Sequence, residues 1–357
     1  MPYLTPTYLI HLNLPDMLPE ALALAGQIIR EGGLVAFPTE TVYGLGANAL
    51  DEQALARIFA AKERPTSDPI IAHVAYLEQV AELAQDIPPE AEALARVFWP
   101  GPLTLVLRKR LHVPDLLTAG QPTVAVRLPD HPIARAFIEA AERPIAAPSA
   151  NRFSRPSPTR AEHVLYDLSG RVDVILDGGP TPIGLESTIV DFSQPDEPPR
   201  LLRLGGLPLE ALRAHLPTLS LPVLRLNADQ PAPAPGTLLK HYAPTAEVVL
   251  FRGQDEAALR RALRSAAEAR LAQGQRLAAL LPDGWVNWLT GLPIQVMAWG
   301  EDSAQRSARL FAALRELEQQ PIDAILACAP PQVAHDGLDM AAWDRLLRAA
   351  EGRFHDV

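Results

Sequence analysis

The chain has 357 residues, enough for two domains of ordinary size, and its 48% hydrophobic and 21% charged content is that of a soluble globular protein. A net charge of −10 argues against coating nucleic acid by bulk electrostatics, and no apolar run approaches the roughly 20 residues that span a bilayer. The N-terminus lacks a basic start followed by an apolar core, and one cysteine, Cys328, excludes an internal disulfide framework, so a reducing cytoplasm is expected.

Leu18 to Arg30 carries apolar residues at helical spacing, with Gly32-Gly33 as a cap. A strand over 34–37 follows, then a loop rich in Thr and Gly, then a helix from the N-cap Asp51 to about Ala61. Ile70 to Val74 reads as a strand, 76–84 and 89–98 as helices, and Leu103 to Leu107 and Val124 to Leu128 as strands. A helix from His131 to about Ala141, a short strand at Ile145 to Ala147, a helix near 159–168 and a strand at Val174 to Leu176 come next. Strands at 188–190 and 201–203 precede a helix at 208–215. This mixture predicts one α/β domain over 1–216.

Residues 217–246 are rich in proline and read as an extended, semi-rigid connector. From Glu247 strands and helices alternate: strands at 248–251, 277–281, 294–298 and 322–328, helices at 255–272, 303–318 and 340–350. That pattern predicts a small parallel, Rossmann-like sheet over 247–357. Cys328 reads as inert core and His335-Asp336-Gly337 as a turn.

No GxxxxGK[ST], HExxH or CxxC is present, so neither a P-loop nor a zinc site is expected. Gly44-Leu45-Gly46-Ala47-Asn48-Ala49 fits GxGxxA, but Pro38-Thr39-Glu40-Thr41 separates it from its strand and the next helix starts only at Asp51. A dinucleotide fingerprint places its glycines directly at a strand-to-helix turn. Thr39, Glu40, Thr41 and Tyr43 either form a hairpin turn or present a polar ligand to the backbone.

Four further clusters lie at element ends. Lys62-Glu63-Arg64-Pro65, with Ser67 and Asp68, either complements a helix dipole or holds adjacent phosphates. Only three of the 32 cations are lysines, so each is a candidate for a place needing a compact point charge. Ala147-Pro148-Ser149-Ala150-Asn151-Arg152, with Ser154 and Ser157, is turn chemistry or an anion-binding concavity. Arg127, ending the strand Thr123-Val124-Ala125-Val126, needs a partner if buried, and a substrate carboxylate would serve. Gly184-Leu185-Glu186-Ser187-Thr188 brings more hydroxyls into a strand, and His73 ends another, either as a core histidine or facing a ligand. Together these clusters predict a cleft for an anionic nucleotide and a small polar acid.

The segments FPTETVYGLGANA, KERP with DPIIAHV, FWPGPLTLVL, VAVRLPDHP, APSANRFSRPSPT, ILDGGPTPIGLESTIVD and LLRLGG resemble the threonylcarbamoyl-AMP synthase (YrdC-like) family, in family order across residues 20 to 215. APGTLLKHYAP, residues 234–244, is similar to the linker motif of its two-domain branch. The resemblance implies a YrdC-like twisted mixed sheet with flanking helices and a smaller Rossmann-like domain. It also implies a nucleotidyltransferase reaction in which L-threonine, bicarbonate or CO₂, and ATP give threonylcarbamoyl-AMP and pyrophosphate, for N6-threonylcarbamoyladenosine in tRNA. By the same resemblance, Lys62, Arg64, Ser149 and Asn151 carry the chemistry and hold ATP, with Asp68, Thr123, Ser157, Arg203, His241 and Tyr242. Thr41, His73, Arg127, Ala147 and Ser187 hold threonine. Lys240, His241 and Tyr242 imply a linker folded over the nucleotide as a lid. Mg²⁺ is expected with ATP, with no tightly bound cofactor and no protein metal site, and contact with the tRNA threonylcarbamoyl-transfer machinery is implied as well.

Three positions depart from the family pattern: Asp68 where Asn is commoner, Phe153-Ser154 in place of Ser-Gly, and Leu204 in place of Pro. Two other readings belong to other classes. One is a double-stranded RNA- or tRNA-binding module without ATP chemistry, which the acidic balance opposes. The other is a carbamoyl-transfer domain of the hydrogenase-maturation type, which the missing Cys pairs oppose.

Overall fold

The computed structural model describes residues 6–12, 18–194, 196–221, 234–235, 242–328 and 337–357. The chain divides into two compact units, Met1–Phe153 with Ser157–Leu238, and Leu239–Val357 with Ser154–Pro156. Tyr242 therefore belongs to the second unit, although composition groups it with the connector. Most of that connector, with Lys240 and His241, lies outside the described residues, as do His335 and Asp336.

The first unit holds strands β1 (Tyr8–His11), β2 (Val35–Phe37), β3 (Gly44–Asn48), β4 (Ala72–His73), β5 (Leu103–Arg108), β6 (Thr123–Arg127), β7 (Ile145–Ala146), β8 (Val174–Asp177), β9 (Thr188–Asp191) and β10 (Arg200–Arg203). Its helices are α1 (Leu18–Arg30), α2 (Glu52–Lys62), α3 (Val80–Leu83), α4 (Pro89–Phe98), α5 (Asp115–Thr118), α6 (Pro132–Ala141), α7 (Ala161–Leu168) and α8 (Leu209–His215). The strands form one mixed sheet in the order β1-β8-β2-β3-β7-β4-β6-β5-β9-β10.

On α1, Leu22, Ala25 and Ile29 fall on one stripe, which packs with Ala134, Phe137 and Ile138 of α6 over Val35, Phe37, Val174 and Leu176 of the sheet. Helix α2 starts where the Asp51 carboxylate accepts the Gln53 and Ala54 N–H groups at 2.8 and 3.2 Å. It ends as Glu63 turns to φ 55°, leaving Lys62 as its last residue.

The sequence predicts a turn at Gly44 and Gly46, and the structure corrects this. Both lie inside β3, which runs antiparallel to β2 with Phe37 opposite Gly44 and Val35 opposite Gly46. Glycine is needed there for room: a Cβ at Gly46 would stand 3.0 Å from Ile145 Cγ2 and 3.1 Å from the Phe37 ring. The strand expected at 70–74 pairs only at Ala72–His73, since the Ile70 N–H turns to the Leu117 carbonyl at 2.9 Å. The helix expected at 76–84 divides into a 3₁₀ turn at Leu77–Gln79 and α3.

The second unit comprises β11 (Glu247–Arg252), α9 (Glu256–Ala272), β12 (Leu277–Leu281), β13 (Gln295–Ala298), α10 (Ser303–Leu317), β14 (Ala324–Cys328), α11 (Gly337–Ala349) and β15 (Phe354–Asp356). Its five strands are all parallel, in the order β13-β12-β14-β11-β15. The central β14, Ala-Ile-Leu-Ala-Cys, is buried throughout, as a strand covered on both faces must be. Burial pushes the Cys328 thiol up to about 12, so it is unreactive core.

Candidate active site

Strand register decides which side chains meet. His73 and Arg127 are partners across β4 and β6, Val106 and Ala125 across β5 and β6, and Thr104 and Ile189 across β5 and β9. Partners leave the same face of a sheet, and residues two apart along a strand share it. One face therefore carries His73, Arg127, Ala125, Thr123, Val106 and Thr104. Ser187 joins them through a 2.7 Å hydrogen bond between its hydroxyl and that of Thr104.

At the His73–Arg127 end of this face lies the loop 38–43, between β2 and β3. The Thr39 hydroxyl donates to the Val42 carbonyl at 2.6 Å, so at its 2.7 Å contact with Thr41 it accepts from the Thr41 hydroxyl. Glu40 and Arg127 form an ion pair at 2.6 Å, with both side chains buried, and Arg127 Nε donates to the Gly101 carbonyl at 3.3 Å. Arg127 thus has a partner within the chain where the sequence alone suggests a substrate carboxylate. A second loop clamps the first, because the Ile183 and Gly184 N–H groups donate to the Glu40 and Thr41 carbonyls, each at 3.0 Å. His73 packs edge-on to Phe37, and burial first, then the charge of Arg127, hold its pKa down to about 3. It is a neutral imidazole at any physiological pH. Ala147 adds its backbone, with its N–H on the Ile71 carbonyl at 2.9 Å.

Around the end of α2 the predicted nucleotide residues gather. Lys62 is 1% exposed, and its ammonium donates to the Ser149 and Asn151 carbonyls, each at 2.5 Å. A compact charge so placed ties the Ser-Ala-Asn segment to the helix end. Arg64 pairs with Asp68 at 3.0 Å and donates to the Pro69 carbonyl at 2.6 Å. Burial pushes the Asp68 carboxyl up, against the opposing charges of Arg64, Lys62 and Arg203. Arg203 of β10 donates to the Ser187 carbonyl at 2.9 and 3.1 Å and to the Pro235 carbonyl at 2.9 Å. Ala234 packs on Ile71, Val106, Ala125 and Ile189 of the sheet face. Pro69, Thr123, Ala125, Ala234 and Pro235 line a small, shallow hollow. Ser157, fully buried, donates to the Glu186 carboxylate at 2.5 Å.

Two predicted residues, His241 and Tyr242, belong to the linker motif. His241 lies outside the described residues. The Tyr242 ring is buried in the second unit, stacked on Phe311 at 5.3 Å with the Arg345 guanidinium 5.1 Å from its centroid.

Comparison with known proteins fits this geometry. A family model described as "Telomere recombination" matches residues 27–205, and one described as "Threonylcarbamoyl-AMP synthase, C-terminal domain" matches 208–351. The threonylcarbamoyl-AMP synthase of Pyrococcus abyssi is 44% identical over 350 residues, covering 98% of this chain and 99% of that relative. The chain belongs to the threonylcarbamoyl-AMP synthase family. The threonylcarbamoyl-AMP synthase of Bacillus subtilis is 39% identical over 93% of each chain. A crystal structure of P. abyssi Sua5 complexed with L-threonine superposes with a TM-score of 0.90 at 42% identity, over 99% of this chain and 100% of that one.

Set against the threonylcarbamoyl-AMP synthase pattern, two of the departures gain a physical account. Asp68 meets Arg64, so its charge is balanced within the chain. Ser154 stands at φ 68°, a conformation that favours the glycine of the family pattern. Nothing in the structure explains Leu204. Glu40 and Glu186 stand in clusters that the sequence singles out, with no role of their own assigned there, and Thr104 stands in none; the structure ties Glu40 to Arg127, Glu186 to Ser157 and Thr104 to Ser187. Their signal was adjacency: Glu40 precedes Thr41, Glu186 precedes Ser187, and Thr104 interrupts an otherwise apolar strand.

Proposed function

We propose that the chain catalyses synthesis of threonylcarbamoyl-AMP and pyrophosphate from L-threonine, bicarbonate or CO₂, and ATP. The observation that carries this reading is the convergence on one buried sheet region of two separate polar clusters. Thr41, His73, Arg127, Ala147 and Ser187 make one, suited to a small amino acid. Lys62, Arg64, Asp68, Ser149, Asn151 and Arg203 make the other, where positive charge can meet phosphate. The bound L-threonine of the Pyrococcus relative supports the first assignment.

The chemistry needs no covalent enzyme intermediate. The threonine ammonium first gives up a proton to bicarbonate or solvent. The free amine adds CO₂ and loses a second proton to give a carbamate, whose oxygen attacks the α-phosphate in line as pyrophosphate departs. Arg127 grips the threonine carboxylate, and neutral His73 and Thr41 offer hydrogen bonds without a competing charge. Lys62 and Arg64 supply charge to the departing pyrophosphate, so catalysis is mostly positioning and electrostatic stabilisation.

Among the described residues no group of three or more His, Cys, Asp or Glu side chains could hold a metal alone. Mg²⁺ enters such sites with the nucleotide, through substrate phosphates and one or two carboxylates. Asp68, buried with no aligned hydrogen bond to its carboxylate oxygens, is the residue to hold Mg²⁺ with ATP, where the ion would neutralise phosphate charge.

The product is a labile mixed anhydride, so transfer to tRNA by a partner machinery would follow in the cytoplasm. No helix among the described residues is long and apolar enough to cross a membrane. The RNA-binding alternative is not favoured: Lys62, Arg64, Arg127 and Arg203 are each at most 8% exposed, too buried to lie along a nucleic-acid backbone. Pyrophosphate release should require both threonine and bicarbonate. Release indifferent to threonine would contradict the assignment.

A further inference from the structure

We infer that Glu40 is the specificity-determining residue for the amino group, receiving the α-ammonium of the substrate beside the carboxylate held by Arg127. The inference deepens the functional reading above and rests on it.

Glu40 is 5% exposed, and neither of its carboxylate oxygens has an aligned hydrogen bond. Among the described residues its one ion-pair partner is Arg127, with Nη2 at 2.6 Å, in a geometry that leaves the carboxylate oxygens able to accept another donor. A carboxylate this deep is costly unless its remaining lone pairs find donors, so a pair that is only partly satisfied adds little to folding stability. The loop that carries it is nevertheless fixed, with the carbonyls of Glu40 and Thr41 each taking an N–H from the 183–184 loop. His131 lies near enough to feel the Glu40 charge, while burial holds that imidazole towards its neutral form. His131 therefore does not serve Glu40 as a second cation.

Charge decides what such a pair selects. Arg127 alone would make a pocket for any small carboxylate, including hydroxy acids. Arg127 beside Glu40 presents a plus and a minus at hydrogen-bond separation, which complements a zwitterion. Rejecting a hydroxy acid matters chemically, because only an amine, formed once the bound ammonium has given its proton to bicarbonate or solvent, can take up CO₂ to form the carbamate. A site built to bond a charged donor discriminates strongly against an analogue that lacks it.

The test is calorimetric binding of L-threonine and of 2,3-dihydroxybutanoate, the same carbon skeleton with a hydroxyl in place of the ammonium, to the full chain. Wild type should prefer threonine. In Glu40→Gln, threonine affinity should fall about 10- to 100-fold, the range for a hydrogen bond between charged groups, while the dihydroxy acid changes by less than about threefold. Glu40→Asp, which keeps the charge, should retain the preference for threonine at reduced affinity. ATP binding by each variant, within about twofold of wild type, shows that the fold is intact. If both acids weaken equally in Glu40→Gln, Glu40 only supports Arg127 and the inference fails; it fails also if neither weakens. Wild type that binds neither acid would overturn the functional reading itself, and this inference with it.

Discussion

Lys62 reaches two carbonyls from a site with almost no exposure, which a planar guanidinium cannot reproduce. Lys62→Arg should therefore lower kcat/KM for ATP by about 100-fold, on the scale of losing charge-assisted hydrogen bonds, while threonine affinity stays within about threefold. Steady-state pyrophosphate release and calorimetry check the two halves. His73 bears on stability. Its folded pKa of about 3 lies below the ordinary 6.5, so the unfolded chain binds the extra proton between those values. Its contribution is complete above about pH 6.5 and is lost as pH falls towards 3, by up to about 1.4 kcal/mol per pH unit. Buried His131 adds a slope of the same sign. Urea unfolding between pH 7 and 4.5 should show a shallower pH dependence in His73→Gln than in wild type.

Among elements, the turn before α8 leaves no room for a Cβ at Gly205. A Cβ at Gly205 would lie 2.3 Å from the Glu186 carbonyl oxygen and 2.5 Å from the Ser187 carbonyl carbon, both backbone atoms. Gly205→Ala should cost about 3 kcal/mol and displace Ser187, raising KM for threonine as well as lowering the unfolding midpoint. Ser154→Gly should instead stabilise by about 0.5–1 kcal/mol, because φ 68° strains a residue with a Cβ. How far elements could be read depended on whether side chains reported them. Helix α1 has its predicted bounds because its apolar stripe and glycine stop are local, and Asp51 announced α2. The apolar run before Arg127 announced β6, but which side chains share its face follows only from its register with β4 and β5. Strand β3 was hidden because Gly44 and Gly46 carry no side chain to show a period of two, and their need for room depends on Phe37 and Ile145. The Glu40–Arg127 and Ser157–Glu186 contacts join distant segments, and no local pattern encodes them.

At the scale of the whole chain, the second unit includes Ser154–Pro156, only three residues beyond Asn151. Within that unit Arg315 donates to the Pro156 carbonyl, Arg155 pairs with Glu318 at 3.1 Å, and the Ala243 N–H donates to the Ser154 carbonyl at 2.7 Å. A chain truncated after residue 238 loses these partners, and Tyr242 with them. It should still bind threonine, through residues of the first unit, yet release pyrophosphate at least about tenfold more slowly. Calorimetry and a coupled pyrophosphate assay separate the two effects. The central claim concerns the product, and mass spectrometry after incubation with ATP, L-threonine and ¹³C-bicarbonate tests it most directly. The expected result is threonylcarbamoyl-AMP carrying one labelled carbon, formed in step with pyrophosphate. ATP consumed without a labelled threonyl adduct of AMP would contradict it.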